Sequence, residues 1–540
     1  MKFIKSKKYK SKFKFSLFTV LFVSAAYSGF AQSKTSEIEL GEITTVVNTD
    51  SIKADSEAAP DFANVLDGST VTGNIVPVLP DVEKPAEAEI AVTDAKEEKS
   101  LYADGLLGGG YPVYFTGNFN IYNLNGESPF KLSFNHDSAT GYAGKSLTSG
   151  YFDRKTSMLI EKSFIQPSYE LEFSGSYETS GNGLQNKVLQ SSYVNKDFVS
   201  GNASFLYRFN ELFSIRTMFT SDFYDRYEDK DGTLLSLFDF SPLVTGTFSF
   251  TNINFGFTGR YRFDGYIDDM GICGHRADLK LFFDWHNDFL KLFADVSAVV
   301  GNKLNENSVV VPFTAGASVD IPVSFSERKV SLGVKGGLDS YRDSTAMLER
   351  KYLFSALNGT PCEASDWFGR FDILVPVQNA LTFTGGTEFR KSAFDNFTVQ
   401  ADYSSAVTDG LYGYKLYDIT RLKTEFGAAY SYKIFNFAAQ WNSYWMDVPV
   451  LESAQSLKVK FAVQNKKETL GADASAEFFI GDYDNLPLVS AGGFIKVNQS
   501  FRVLLSLDDI LKLMFADTRD YAGCYVQRGG TASLLLKFNF

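Results

Sequence analysis

Three runs in this sequence carry residue types able to do chemistry. His136-Asp137-Ser138 sets the members of an acyl-transfer triad side by side: a hydroxyl nucleophile, an imidazole base and a carboxylate to orient it. Asp229-Lys230-Asp231-Gly232, preceded by Asp222, Asp225 and Glu228, offers the hard oxygen ligands that calcium prefers. Cys273, Cys362 and Cys524 offer thiols for a metal or a disulfide.

Each reading depends on the backbone that presents the residues. Adjacent positions on a strand point to opposite faces, so His136, Asp137 and Ser138 cannot form a relay among themselves. The acidic run has Tyr227 where a further oxygen ligand should stand, and no glutamate closes the loop; it reads as a hairpin tip in water. Cysteines 89 and 162 residues apart match no metal motif. An odd number of them permits one disulfide, and whether any two are bonded stays open. No His-Glu-x-x-His, Gly-x-Ser-x-Gly or phosphate-loop motif occurs. The expectation is no enzyme, no cofactor and no metal site, with a lipase or protease built on a barrel edge as the minor alternative.

The elements that must position these residues are strands. From Thr531 to Phe540, Ala532, Leu534, Leu536, Phe538 and Phe540 share one face, and Thr531, Ser533, Leu535, Lys537 and Asn539 the other. Val113 to Tyr122, Tyr169 to Tyr177, Ile253 to Phe263, Leu279 to His286, Leu422 to Lys433, Lys458 to Gln464 and Val489 to Asn498 alternate in the same way. An unbroken apolar face opposed to a polar one means hydrocarbon on one side and water on the other, because lipid offers a stray charge no hydrogen bond. Aromatics make up 15% of the chain, with 51 Phe and 28 Tyr, which suits two interfacial girdles and a lipid-facing band.

The fold class expected is therefore all-β: a transmembrane antiparallel β-barrel over 101–540, with 16 to 22 strands. The alternation loses parity around Val375 to Asn396, which leaves the strand number open. Turns such as Asn498-Gln499 read as periplasmic. Asn135 to Tyr151, Asp222 to Asp231, Tyr341 to Asp366, Asp402 to Tyr417 and Asp508 to Arg528 read as extracellular loops. Ser506 to Phe515, with Ser506 and Asp509 as a capping box, is the best candidate for a loop helix.

Seven lysines, an apolar run from Leu17 to Ala26 and Gly29-Phe30-Ala31 compose a secretory signal peptide over 1–31. Removing those seven charges takes the net charge from −12 to −19, which argues against nucleic acid as a partner. Residues 32–100 hold 15 Asp plus Glu, five Lys and a single Phe, with no Tyr or Trp; such a segment cannot bury enough apolar area to fold alone. It is expected to be a disordered acidic periplasmic extension.

Glu170, Glu172, Arg260, Arg262, Lys280, Asp284, Lys423, Glu425, Lys458, Lys460 and Lys496 fall on the water-facing side. Both signs are present, so the lumen is either a hydrated path without single-sign selectivity or a wall stabilised by ion pairs.

Glu42-Ile43-Thr44-Thr45-Val46-Val47, within Glu39 to Val47, resembles the TonB box of TonB-dependent receptors, a β-prone segment able to add a strand to a periplasmic partner. Gly109 to Phe115, Ser128 to His136 and Ser533 to Phe540 look like the barrels of such receptors. The resemblance implies an outer-membrane location, a TonB-like periplasmic partner, outer-membrane lipid around the wall, and assembly machinery that reads the terminal aromatics Phe538 and Phe540. Residues 48–100 are too short and polar for the family's plug domain, so the resemblance is to a plugless relative, open or blocked by its own loops or tail. The functions implied are a channel or receptor-like transporter for small solutes, a non-transporting surface protein whose loops bind ligands, or the barrel subunit of an envelope complex.

Overall fold

The computed structural model describes residues 101–540 except 124–126, 190, 229–231, 268–272, 304–305, 325–327, 357–361, 378–379, 404–409 and 482–485. The signal peptide, the acidic extension and the Glu42 to Val47 segment lie outside the described residues, as do Asp229, Lys230 and Asp231.

The wall begins with β1 (Tyr102–Tyr111), β2 (Val113–Asn123), β3 (Phe130–Thr140), β4 (Phe152–Ile165), β5 (Tyr169–Gly183), β6 (Tyr193–Arg208) and β7 (Phe213–Glu228). It continues with β8 (Gly232–Ser249), β9 (Ile253–Tyr266), β10 (Cys273–His286), β11 (Leu290–Lys303), β12 (Glu306–Val310), β13 (Phe313–Ile321), β14 (Val330–Asp343), β15 (Cys362–Val377) and β16 (Leu381–Ser392). Two short strands, β17 (Thr398–Ala401) and β18 (Tyr414–Tyr417), form a separate hairpin. The wall resumes with β19 (Thr420–Tyr432), β20 (Phe435–Tyr444), β21 (Gln455–Gln464), β22 (Leu470–Ile480), β23 (Leu488–Lys496) and β24 (Phe501–Asp508). A second loop hairpin, β25 (Arg519–Tyr521) and β26 (Tyr525–Gln527), precedes the last wall strand, β27 (Thr531–Asn539).

β27 pairs with β24 on one edge and with β1 on the other, where the register runs from Asp104 opposite Asn539 to Tyr111 opposite Ala532. The sheet is thereby closed. Both β12 and β13 pair with β11, along different parts of its length, so they count as one wall strand interrupted at Val311-Pro312. The closed antiparallel barrel has 22 strands, the upper end of the expected range. Gly110 lets the backbones approach at the seam, since a Cβ there would strike the Ala532 carbonyl. Phe538 lies across Gly105 and against Phe119, covering the seam, while Phe540 packs edge-on to Phe501 of β24 on the other side of β27.

The two faces separate as the alternation requires. Leu281, Val334, Phe426, Phe461 and Leu534 are exposed large apolar side chains, whereas Lys280, Arg370, Glu425 and Lys458 on the alternate positions turn inward and pair. Around Val375 to Asn396 the parity is intact: Phe383 and Phe389 face outward, and Gly385 and Thr387 between them occupy outward positions without an apolar side chain.

Short links such as 166–168, 209–212, 250–252 and 433–434 gather at one end, together with the start of β1 and the finish of β27. The other end carries the long segments 344–361, 393–419 and 509–530. Several strands rise past the expected loop boundaries. Asn135 to Thr140 belongs to β3, and Asp222 to Glu228 to β7. Ladder pairing continues there while both faces meet polar surroundings, so the sequence loses the alternation that marks a strand. The expected capping box does not form: Ser506 lies in β24 and donates to Asp508 (3.2 Å). Asp509 has φ 47° and no side-chain cap to the helix Ile510–Phe515. The other helix, Thr345–Lys351, is capped by Ser344, whose Oγ accepts from the Met347 amide at 3.3 Å.

Leu281 tests the orientation of the wall. Leu281→Arg is expected to destabilise the folded barrel by about 2–4 kcal/mol, the cost of a cation near the hydrocarbon midplane, in urea titrations from lipid vesicles.

Candidate functional site

The lumen wall is laced by ion pairs. Glu170 meets Arg208 (3.1 Å), Arg262 meets Asp239 (3.2 Å), Lys280 meets Asp295 (3.1 Å), Lys458 meets Glu477 (2.9 Å), and Lys423 meets Glu425. Much of the inward charge read from the sequence is therefore paired, across adjacent strands or, for Lys423 and Glu425, two apart on one strand. Partly hydrated pairs of this kind add little stability each; they keep the surface polar while leaving no strong single-sign field.

Towards the long-loop end the pairs become buried and join strands that are not neighbours. Glu349, on the helix that follows β14, reaches β6 and β7. Its carboxylate lies 3.0 Å from both Lys196 Nζ and Arg226 Nη1 and accepts from the Tyr224 hydroxyl at 2.9 Å. Lys196, Arg226 and Glu349 are no more than 1% exposed. The two cations also donate to loop carbonyls: Lys196 to those of Glu349 and Tyr352 (2.7 Å each) and Arg226 to that of Ser355 (2.8 Å). Burial alone would push the Glu349 carboxyl up, but Lys196 and Arg226 outweigh it and hold the group below the ordinary glutamate value.

A second buried cluster anchors the same loop at its root. Above Leu338, β14 has no partner on β13. There Arg342 grips Asp264 of β9 with two bonds (2.9 and 3.1 Å) and Glu363 of β15 at 3.3 Å, and Glu363 also receives Arg276 of β10. The bidentate guanidinium geometry fixes direction as well as charge.

Aromatic packing locks three loops to one another. Phe354 stacks on Tyr525 with ring centres 3.8 Å apart, Tyr403 shares a hydrogen bond with Tyr521 (2.9 Å), and Tyr412 packs edge-on against Tyr403. Leu184 and Val194, both fully buried, complete the cluster. Desolvation raises the Tyr521 phenol to about 12, so it stays a neutral donor at any physiological pH. From the last loop, Arg528 reaches Asp137 (2.5 Å) and Asp153 (3.5 Å) on the lumen side of β3 and β4. Residues 344–356, 398–403, 410–417 and 519–528 thus form a stopper in the mouth, held by inward-facing wall residues.

Beneath the stopper lies a polar recess of ≈ 320 Å3. Lys351, Arg370, Arg390, Arg421 and Lys423 supply five cations to it, against the carboxylates Asp343, Glu388 and Glu452. Tyr341 and Tyr444 add hydroxyls and ring faces; Arg370, Arg390 and Lys423 are also paired with Asp372, Glu425, Asp339 and Asp366, so the recess carries both signs of charge and several hydrogen-bond donors.

Residues singled out in the sequence fall as follows. Alternation does separate Asp137 from its neighbours: it faces the lumen, where it takes the Tyr114 hydroxyl at 2.8 Å. His136 and Ser138, two apart, share the opposite face and lie within hydrogen-bonding distance, which the rule about adjacent positions does not forbid. Asp225 and Glu228 point to opposite sides of β7. Asp225 accepts from Ser236 (2.5 Å), and Glu228 from Ser191 (2.9 Å). Cys273 Sγ is 3.3 Å from His275 Nε2, and Cys524 Sγ is 3.7 Å from Lys187 Nζ; the Cys362 side chain lies outside the described residues. The sequence reading missed Glu349, Arg342 and the loop tyrosines. The available signal was Ser344 with Leu348 and Tyr352 at helical spacing, inside a stretch taken as a polar loop.

A closed wall, apolar outside and charged within, defines a transmembrane β-barrel. Neither a family model nor a curated protein matches the sequence. Solved structures do match the fold. The barrel is similar to a mutant of the ferric enterobactin receptor PfeA from Pseudomonas aeruginosa, at 9% identity over 82% of this chain and 81% of that one, with a TM-score of 0.58. It is similar to the FrpB iron transporter from Neisseria meningitidis, at 10% identity over 82% and 83%, with a TM-score of 0.59. It is also similar to the copper transporter OprC, at 10% identity over 82% and 80%, with a TM-score of 0.60. At these identities the likeness is one of fold: the barrel of receptor-type transporters.

Glu349 provides the test of the stopper. Glu349→Ala leaves Lys196 and Arg226 buried without their carboxylate, a change that costs about 3–5 kcal/mol at such sites. Limited proteolysis should then cut within 344–361 while the barrel stays resistant. The depressed Glu349 carboxyl also sets a pH direction. The stability it contributes is fully present above the unfolded glutamate value and is lost as pH falls through the lower folded value. Protease protection of the loop should therefore hold at neutral and mildly acidic pH and disappear only below the ordinary glutamate range.

Proposed function

We propose that this chain is an outer-membrane receptor-like transporter whose own loops close the outer mouth, with the lumen recess as a station for a small solute. The observation that carries this reading is the buried anchoring of segment 344–356 to non-neighbouring wall strands through Glu349 and Arg342. A barrel serving only as an anchor has no need to draw a loop into its lumen and bury charges to hold it. The likeness to iron and copper receptors and transporters supports the same class. A recess with both signs of charge and several donors and acceptors suits a small polar solute.

Short links at the end where β1 begins and β27 finishes support a periplasmic position for that end, by the usual asymmetry of outer-membrane barrels. In this reading the acidic 32–100 segment is a periplasmic extension, and its Glu42 to Val47 run is the segment that adds a strand to a TonB-like partner. Phe538 and Phe540 serve as the assembly signal, and the wall is in contact with outer-membrane lipid. In this proposal the loops close the mouth in place of a separate plug domain.

Planar-bilayer recording tests the reading. The full mature chain should show rare, small openings, and Glu349→Ala should convert them to frequent, larger steps. A permanently open wild-type pore would contradict closure by the loops. Silence from the folded variant as well would favour the surface-anchor alternative.

A further inference from the structure

The outer surface of β3 and β4 carries a hydrogen-bonded row that neither the lumen nor the loops use. His136 Nε2 lies 3.1 Å from Ser138 Oγ, and His136 Nδ1 lies 2.8 Å from Thr156 Oγ1. His136 and Ser138 are two apart on β3, and Thr156 is the direct cross-strand partner of His136 on β4, so all three share one face. That face is the outside of the barrel: Phe134 and Met158, the next pair towards the short turns, are 41% and 40% exposed.

The row also sits at a particular depth. The outward positions just below it, Leu132, Phe134, Met158 and Ile160, are apolar; Arg154, the cross-strand partner of Ser138, is polar and donates to Asn195 at 3.0 Å, and Phe152 and Val113 are apolar again above it. The Phe115 ring, 5.6 Å from the imidazole, flanks it on the β2 side. A cluster of polar outward side chains beside aromatic ones is what a barrel wall presents near the headgroup level of a bilayer, where the ester linkages of surrounding lipids lie.

We propose that Ser138, His136 and Thr156 form a hydrolytic site for acyl esters of outer-leaflet lipids, built on the outer face of the barrel and independent of solute passage. With Nδ1–H donated to Thr156, His136 Nε2 accepts the Ser138 hydroxyl proton as Oγ attacks the ester carbonyl carbon. Collapse of the tetrahedral intermediate breaks the acyl C–O bond, and Nε2 returns the proton to the leaving alcohol. Water, deprotonated by the same nitrogen, then attacks the acyl-serine, releasing the fatty acid and restoring Ser138. Ser138 and His136 are the catalytic residues; Thr156 is a positioning residue that fixes the imidazole. The Arg154 guanidinium, turned over Gly181 towards Asn195 of β6, is a neighbouring outward cation available to the lipid's phosphate rather than to the oxyanion. The geometry meets the two requirements for such a site, a nucleophile within reach of a base and a base held by a third group.

The test uses the full mature chain in vesicles. A fluorophosphonate probe reports the nucleophile, and mass spectrometry reports released fatty acid. One arm contains diacyl phosphatidylethanolamine and the other lipopolysaccharide, to distinguish the two sources of acyl ester. The expected result is labelling and fatty-acid release in one arm or both, abolished in Ser138→Ala and reduced at least about 100-fold in His136→Asn. Thr156→Val should slow labelling and Thr156→Ser restore it, a rescue that a purely structural methyl contact would not give. Heat-modifiable electrophoretic migration verifies that each variant is folded. A folded wild type that takes no label and releases no fatty acid in either arm overturns the proposal, as does labelling that persists in Ser138→Ala.

Discussion

Hydrocarbon offers no hydrogen-bond partner, so a sheet placed in it must leave no open edge. In this protein that requirement is met at one seam, where β1 and β27 pair along eight positions and Ala103 of β1 exchanges bonds of 3.0 and 2.7 Å with Phe540 just past the end of β27. Everything else follows from closure. Once the wall is continuous, each strand has an oily face and a wet face, and charge can accumulate inside without meeting lipid. Arg370, for example, contacts Asp372, Glu388 and Glu425 on the lumen side, while Phe371 beside it is exposed to the bilayer.

Inside the mouth the electrostatics change character. Lower pairs such as Lys280 with Asp295 are partly hydrated and join adjacent strands. Upper groups such as Lys196, Arg226, Glu349 and Glu363 are almost wholly removed from water and join distant ones. Leaving one buried charge without its partner is costly, so these groups favour a single arrangement of the loops over many loose ones. The tyrosine cluster supplies apolar area on the same segments and gives its hydroxyls defined partners. The loop that carries Glu349 is therefore positioned by polar contacts at the wall and by rings against its neighbouring loops.

The fold was legible where water and lipid act on opposite faces of one strand. Thr531 to Phe540 and Leu279 to His286 could be read directly because their environment alternates with a period of two. The upper parts of β3, β7 and β14 could not, since protein or water lies on both sides and the period vanishes. Gly385 and Thr387 hid the parity of β16 for a simpler reason: an outward position can be filled by a small residue. The site was less legible than the fold. Glu349, Tyr403 and Tyr521 lie on loops and Arg342 at the loop-side end of β14; their contacts with Arg226, Asp264 and one another span 78 or more positions and depend on barrel closure, and no local spacing encodes them. The exclusion drawn from His136-Asp137-Ser138 was sound for neighbours and silent about residues two apart.

The most direct measurement concerns the four tryptophans. Trp285, Trp367 and Trp441 occupy outward strand positions, and Trp445 stands just past the loop-side end of β20, 58% exposed. In vesicles containing brominated lipids, their fluorescence should be strongly quenched by the acyl-chain bromine and little affected by aqueous iodide. Strong iodide quenching with no effect of brominated lipid would show that the apolar face does not meet a bilayer, and the account of wall, lumen and stopper would fail with it.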